Sequence, residues 1–344
     1  MAERSLPTST YRLQLHSGFG FAAAAEQVPY LARLGISHLY LSPVLQAAPG
    51  SMHGYDVVDH TRVSEDLGGE DGLVALAERA HGHDLGVVVD VVPNHMALPT
   101  PAYLNAPLWD TLRRGRDSET ASWFDIDWEL CDQKVGLPVL GAPLGDVLDA
   151  GELELGEHEG QPVLRYYDQV FPVAPGTAGG SVADVLARQH YLLANWRDKD
   201  DVLGYRRFFD VDTLVAVRVE LDHVFDATHA LLLSLHHRGV IDGFRIDHPD
   251  GLADPQGYLA RLRDATDGAW VVVEKILEGD EALPAEWATA GTTGYDAIRA
   301  LSDALVPPVG AALDELWRKT GAEASLASTE LEAKRQVLDV LLKP

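Results

Sequence analysis

Five short apolar runs punctuate the chain and each stops abruptly at polar residues: "YRLQL" (11–15), "SHLYLSPV" (37–44), "GVVVDVVPNH" (86–95), "GVIDGFRIDH" (239–248) and "AWVVVEK" (269–275). Near-continuous hydrophobicity over so few positions predicts strands of a parallel sheet buried on both faces. Between them the period lengthens. Leu73, Leu76, Ala77 and Ala80 fall at i, i+3, i+4 and i+7, the single stripe of an amphipathic helix. "EQVPYLARLG" stops at Gly35 and "ATHALLLSLHHRG" at Gly239, with Asp226 as the candidate N-cap of the second. Strand, helix, strand at this rhythm predicts βαβ units, hence an α/β chain. With "TAGTTGY" as a sixth strand the count remains two short of a closed (β/α)₈ barrel.

The rhythm breaks between His95 and Ile241, in a stretch rich in Gly, Pro, Asp and Trp. No structureless loop is that long inside a compact domain, so an inserted subdomain is expected. The predicted organisation is a first part of the sheet with strands one to three (1–95), an insert with return helices (96–238), and strands four to six followed by C-terminal helices (239–344). After "GTTGYD" (291–296) the chain reads as helical, with Leu331, Leu338 and Leu341 along one side and Leu342–Lys343–Pro344 as a raw end.

Composition narrows the partners. Lys and Arg number 27 against 53 Asp and Glu, a formal charge of −26 that repels phosphate backbones and anionic lipid. Nucleic acid and membrane are therefore not expected partners. A single cysteine, Cys131, cannot form an intrachain disulfide, and no apolar stretch suits a signal peptide or a membrane span. These features point to a cytoplasmic setting. No Gly-rich phosphate loop of the P-loop or Rossmann type is present, and no cofactor is expected.

Polar residues gather where the strands end: Asp90, Asn94 and His95, then Arg245, Asp247 and His248, then Glu274. That edge is where α/β folds assemble their sites. Arg245 lies two positions before Asp247, on the same side of its strand, so its guanidinium is expected to keep Asp247 ionised. Glu274 follows "WVVV", and apolar neighbours are expected to keep it protonated. One charged and one protonated carboxyl is the equipment of a glycosidase; retention needs them roughly 5–5.5 Å apart, which adjacent strand ends can supply. Each residue also has a plainer reading. Arg245 with Asp247 can be a structural ion pair, Glu274–Lys275 a solvated strand end, and Asp90 with His95 a cap and a satisfied histidine. His236–His237 reads as a solvated helix end and "HGH" (81–83) as a ligand pair without partners. Trp109, Trp123, Trp128 and Trp196 suit core packing better than sugar stacking.

The joint pattern goes further. "DVVPNH" (90–95), "GFRIDH" (243–248) and "VVVEK" (271–275) resemble three of the four sequence blocks of the α-amylase superfamily, glycoside hydrolase family thirteen. They stand in the right order, with an insert where that family carries its domain B, and "HGYDVVDH" (53–60) resembles its tyrosine-bearing block. The resemblance implies a (β/α)₈ TIM-barrel type, here incomplete at about six strands. It makes Asp247 the nucleophile and Glu274 the general acid/base, with Tyr55, Asp90, His95, Arg245 and His248 around the substrate and Asn94 as structural support. It implies no metal and no cofactor.

"STYRLQL", "SPVLQAAPGSMHGYDVVDH", "YRRFFDVDTL", "FRIDHPDGLADP", "VVVEKIL" and "GTTGYD" are together similar to the branch of this family that isomerises the reducing end of maltooligosaccharides. The implied reaction is an intramolecular transglycosylation that turns the terminal α-1,4 bond into an α,α-1,1 bond. Pro249–Asp250–Gly251 stand where ordinary amylases commonly carry a Lys-His pair, so the pocket for the leaving sugar is expected to differ. The family's fourth block, a carboxylate after a histidine on a later strand, has no counterpart: His83–Asp84 precedes the third strand and faces the wrong end. The expectation is an N-terminal part of such an enzyme, needing a complementing C-terminal chain. An α-glucan hydrolase of the same superfamily and a non-catalytic glucan-binding fragment are the alternatives.

Overall fold

The computed structural model describes residues 6–306, 310–321 and 325–340, so the Leu341 position of the last helical stripe and the Leu342–Pro344 end lie outside the described residues. Six parallel strands form one curled sheet in the order in which they occur along the chain. They are β1 (Thr10–Leu13), β2 (His38–Leu41), β3 (Gly86–Val91), β4 (Gly243–Ile246), β5 (Trp270–Val273) and β6 (Gly291–Thr292). This is the expected α/β half-barrel of six strands, with the insert between β3 and β4. β3 and β4 are buried along nearly their whole length, as continuous hydrophobicity demands. β1 is not: Thr10, Tyr11 and Arg12 are exposed, because β1 forms one edge of the open sheet and lacks a covering neighbour.

Helices return the chain between strands. α1 (Phe21–Leu34) buries Phe21, Ala24, Val28 and Leu31 and stops at Gly35, whose φ of 86° lets its N–H cap the last carbonyls. α2 (Gly69–His81) buries the predicted stripe Leu73, Leu76, Ala77 and Ala80. α3 (Asp222–His237) begins earlier than expected. Leu221 is its N-cap residue and Asp226 lies inside the helix, because the apolar face already starts at Val224 and Phe225. At its other end His236 and His237 are not simply solvated: their ring nitrogens bond the carbonyls of Ile241, Thr266 and Ala265, docking α3 on the end of α4 (Pro255–Ala265).

The insert has its own apolar core, which includes Leu137, Leu164, Phe171, Tyr191 and Leu193. It is built from a three-stranded antiparallel sheet (Leu153–His158, Gln161–Tyr166, Gln169–Pro172) and a parallel pair (Val135–Leu140, Tyr191–Asn195). A third sheet leads back toward the half-barrel: His95–Ala97 pairs with Val211–Ala216, which pairs with Arg207–Phe208. Trp109, Trp123 and Trp128 pack against the insert core, as expected, whereas Trp196 is half exposed under the Arg197 guanidinium.

Residues from Gly294 onward form a separate unit with helices Tyr295–Leu305, Gly310–Lys319 and Leu326–Val340. Leu331 and Leu338 are exposed there. Among the described residues no helix is long and apolar enough to cross a membrane.

Candidate active site

Parallel register assembles the site. Arg245 on β4 stands opposite Asp90 on β3 and Val272 on β5, so Asp90 and Arg245 project from the same face of neighbouring strands. The ladder continues past the strand ends: the Asp247 N–H donates to the Val91 carbonyl at 2.9 Å and the Glu274 N–H to the Ile246 carbonyl at 2.8 Å. Asp247 and Glu274 therefore leave adjacent strands side by side at the C-terminal edge. Gly243 lets β4 and β5 lie close together, since a Cβ there would lie 2.7 Å from the Trp270 carbonyl oxygen.

One guanidinium organises the acids. Arg245 Nη1 donates to Asp247 Oδ1 at 2.6 Å and to Asp90 Oδ1 at 2.8 Å, and Nη2 lies 3.5 Å from Glu274 Oε1. Asp90 is buried and its other oxygen accepts from Tyr55 (2.6 Å), Tyr40 (2.9 Å) and Arg12 (3.1 Å). With both oxygens so occupied, Asp90 serves as a brace for the residues around it. Burial and the nearby Asp90 charge raise the pKa values of Tyr40 and Tyr55, which stay protonated as donors.

The charge state of Asp247 departs from the sequence expectation. Burial, together with the charges of Asp90 and Glu274, pushes its carboxyl up to about 7 despite the opposing pull of Arg245. Arg245, divided among Asp247, Asp90 and Glu274, does not offset the cost of burying the Asp247 charge.

Glu274 is half-buried, and its Oε2 accepts the backbone N–H of His248 at 3.1 Å. Lys275 beside it is no solvated strand end. Its ammonium bridges Asp250 (3.2 Å) and Glu281 (2.6 Å), tying together the loops that follow β4 and β5.

His95 donates Nε2–H to the Tyr55 carbonyl (3.0 Å), which makes Nδ1 the lone-pair nitrogen, buried without a partner. Burial lowers its pKa to about 4, so the ring is neutral. The Asn94 side-chain oxygen accepts from Arg206 (3.1 Å). Arg206 also donates to the Gly251 carbonyl (2.7 Å) and to Asp125 (2.8 Å), stapling the insert to both strand-end loops. His248 adopts φ 43°, and its ring meets Phe208 and Phe209.

All eight residues singled out from the sequence thus converge on one edge of the sheet. Arg12, Tyr40, Arg206, Phe208 and Phe209 were not anticipated as site residues. A charged Arg12 and a Tyr40 hydroxyl inside otherwise apolar strands were the available signal for the first two. The others come from the insert, whose approach no local pattern reveals. His81 of "HGH" bonds the Asp242 carboxylate at 2.8 Å, an ordinary structural contact.

An incomplete barrel carrying an insert after its third strand, with paired acids at the C-terminal edge, defines a class, and comparison with known proteins agrees. Residues 20–136 match the α-amylase catalytic-domain family. The chain belongs to the α-amylase superfamily. Within it, the similarity over nearly the whole chain is to maltooligosyl trehalose synthases. It is 47% identical over 308 residues to a Mycobacterium tuberculosis protein named "Putative maltooligosyl trehalose synthase", covering 88% of this chain and 39% of that one. The maltooligosyltrehalose synthase structure from Arthrobacter ramosus matches with a TM-score of 0.90 at 46% identity, over 96% of this chain and 43% of that one. A Sulfolobus tokodaii structure described as a hypothetical maltooligosyl trehalose synthase matches with a TM-score of 0.85 at 36% identity, over 98% and 44%. The chain thus spans about two fifths of the length of these relatives.

Proposed function

We propose that this chain is the acid-bearing part of an enzyme that isomerises the reducing end of maltooligosaccharides, converting an α-1,4 into an α,α-1,1 linkage by a retaining double displacement. The observation that carries the reading is the placement of Asp247 and Glu274 on one guanidinium at neighbouring strand ends, which favours the close pair of retaining enzymes over the wider pair of inverting ones. Asp247 in its ionised form attacks the anomeric carbon while Glu274 gives its proton to the departing glycosidic oxygen. The released glucose turns within the pocket, Glu274 takes the proton of its anomeric hydroxyl, and that oxygen displaces Asp247. Tyr55, His95 and His248 surround the sugar that bears the ester; Arg245, Asp90 and Asn94 hold the acids and loops in place. No metal takes part in these steps.

The relatives' similarity supports the substrate class, and the half-exposed thiol of Cys131 with no second cysteine supports a cytoplasmic setting. By the resemblance Asp247 and Glu274 supply two of the family's three carboxylates, and a complementing C-terminal chain is the proposed source of the third. The test is incubation with maltopentaose, alone and with the C-terminal remainder of a relative. The expected result is glucan binding without turnover by the chain alone, and a product of unchanged mass and no reducing end after complementation. Trehalosyl product from the chain alone would overturn the need for a partner. Free glucose as the main product would favour a hydrolase, and binding that never converts to turnover would favour a glucan-binding role.

A further inference from the structure

We infer that Phe209, at the tip of the hairpin that the insert sends toward the half-barrel, is the stacking platform for the leaving sugar. This rests on the reading of Glu274 as the acid.

Phe209 is 70% exposed and carries φ 50°, a left-handed conformation that bulky residues rarely adopt. Such an arrangement persists only where surrounding structure holds it, and two contacts do. The hairpin is pinned behind it, where Arg207 pairs with Asp210 and Asp212. The neighbouring Phe208 ring packs on His95 at 4.5 Å and on His248 at 5.1 Å. Phe209 itself meets the His248 ring at 5.0 Å and lies edge-on to Phe208 at 4.5 Å. His248 is also left-handed, at φ 43°, and its N–H holds Glu274 Oε2. Two strained non-glycine residues thus face each other beside the proposed acid, with most of one aromatic ring open to solvent.

The acid protonates the oxygen of the departing sugar, so the space beside Glu274 belongs to that sugar. An aromatic face suits it for a specific reason. In the proposed isomerisation the freed glucose must reorient without escaping and without admitting water. Hydrogen bonds would fix one orientation, whereas a ring stacked on the C–H face of a pyranose is indifferent to rotation and excludes water.

The test is titration of the chain with maltopentaose by calorimetry and by proton NMR, comparing the unmutated chain with Phe209→Ala, Phe209→Leu and Phe209→Tyr. Stacking predicts upfield ring-current shifts of the reducing-end C–H protons in the unmutated chain and in Phe209→Tyr, and their loss in Phe209→Ala and Phe209→Leu. It also predicts Kd about tenfold weaker in Phe209→Ala, and thermal midpoints unchanged because the side chain is exposed. Binding and shifts that persist in Phe209→Ala would overturn this assignment and leave the proposed function standing. Failure of the unmutated chain to bind any maltooligosaccharide would overturn the proposed function and this assignment with it.

Discussion

Arg245 and Asp90 stand directly opposite each other on neighbouring parallel strands, and the arginine Nη1 donates to Asp90 Oδ1 at 2.8 Å. Both side chains are buried, and the same nitrogen serves Asp247. Removing the cation takes from buried Asp247 the guanidinium it bonds and leaves Asp90 paired with Arg12. Arg245→Met is expected to lose roughly 3–5 kcal/mol of stability at pH 7, measured by urea denaturation. Adding Asp90→Asn to that variant should recover part of the loss. A double variant as unstable as the sum of the two singles would show that the pair is not coupled.

Asp247 yields an opposite expectation about stability. Its folded pKa of about 7 lies above the ordinary 3.8, so the native state favours the protonated form. The stability this group contributes is complete below pH 3.8 and is lost as pH rises through about 7. Asp247→Asn abolishes the nucleophile and removes that penalty. The variant should therefore gain on the unmutated chain as pH rises from 5 to 8, by about 1–3 kcal/mol, while losing all isomerising activity in the complemented enzyme. A stability difference that is flat with pH would refute the raised pKa.

Three buried histidines push the other way. Burial lowers His60 and His95 to about 4 and His229 to about 3 from an ordinary 6.5. They fold neutral, so their contribution is complete above pH 6.5 and is lost as pH falls through the window down to about 4. In that window the unfolded chain binds three protons at these sites and the native chain one at Asp247. From these four groups, the net of two contributes roughly 2–3 kcal/mol per pH unit to the stability slope. Denaturation midpoints at pH 5, 6 and 7 measure it, and His60→Gln should remove about one proton's worth of the slope.

Gly243 tests the register itself. Any side chain there meets the backbone oxygen of Trp270 on the next strand, which cannot swing aside as a flexible side chain would. Gly243→Ala is expected to cost about 1–3 kcal/mol. It should also weaken glucan binding, because β4 and β5 must separate just below Arg245. A variant as stable as the unmutated chain would mean that the two strands are not held at the spacing described.

How much of this was legible beforehand differs by element. β3 and β4 announce themselves because both of their faces are buried, leaving no polar alternation to mask the run. The start of α3 was misplaced at Asp226, since a capping residue is a local preference and the packing of Val224 and Phe225 overrides it. β1 read as buried along with the more apolar runs, yet it carries Thr10 and Arg12 and stands at the edge of an open sheet, where no neighbour covers it. Asp247 read as ionised because sequence shows one arginine beside one aspartate and hides the two other carboxyls that share the cation.

The sequence by itself determined the six strands, the place of the insert and the acids at the strand ends, because periodicity and composition are local and survive without a partner. Only the tertiary structure decided that Asp90, Asp247 and Glu274 share Arg245, that Arg206 staples the insert to the site, and that Phe209 stands over His248. Those relationships join residues far apart along the chain, and register and burial, which no local pattern encodes, set both their distances and their charges.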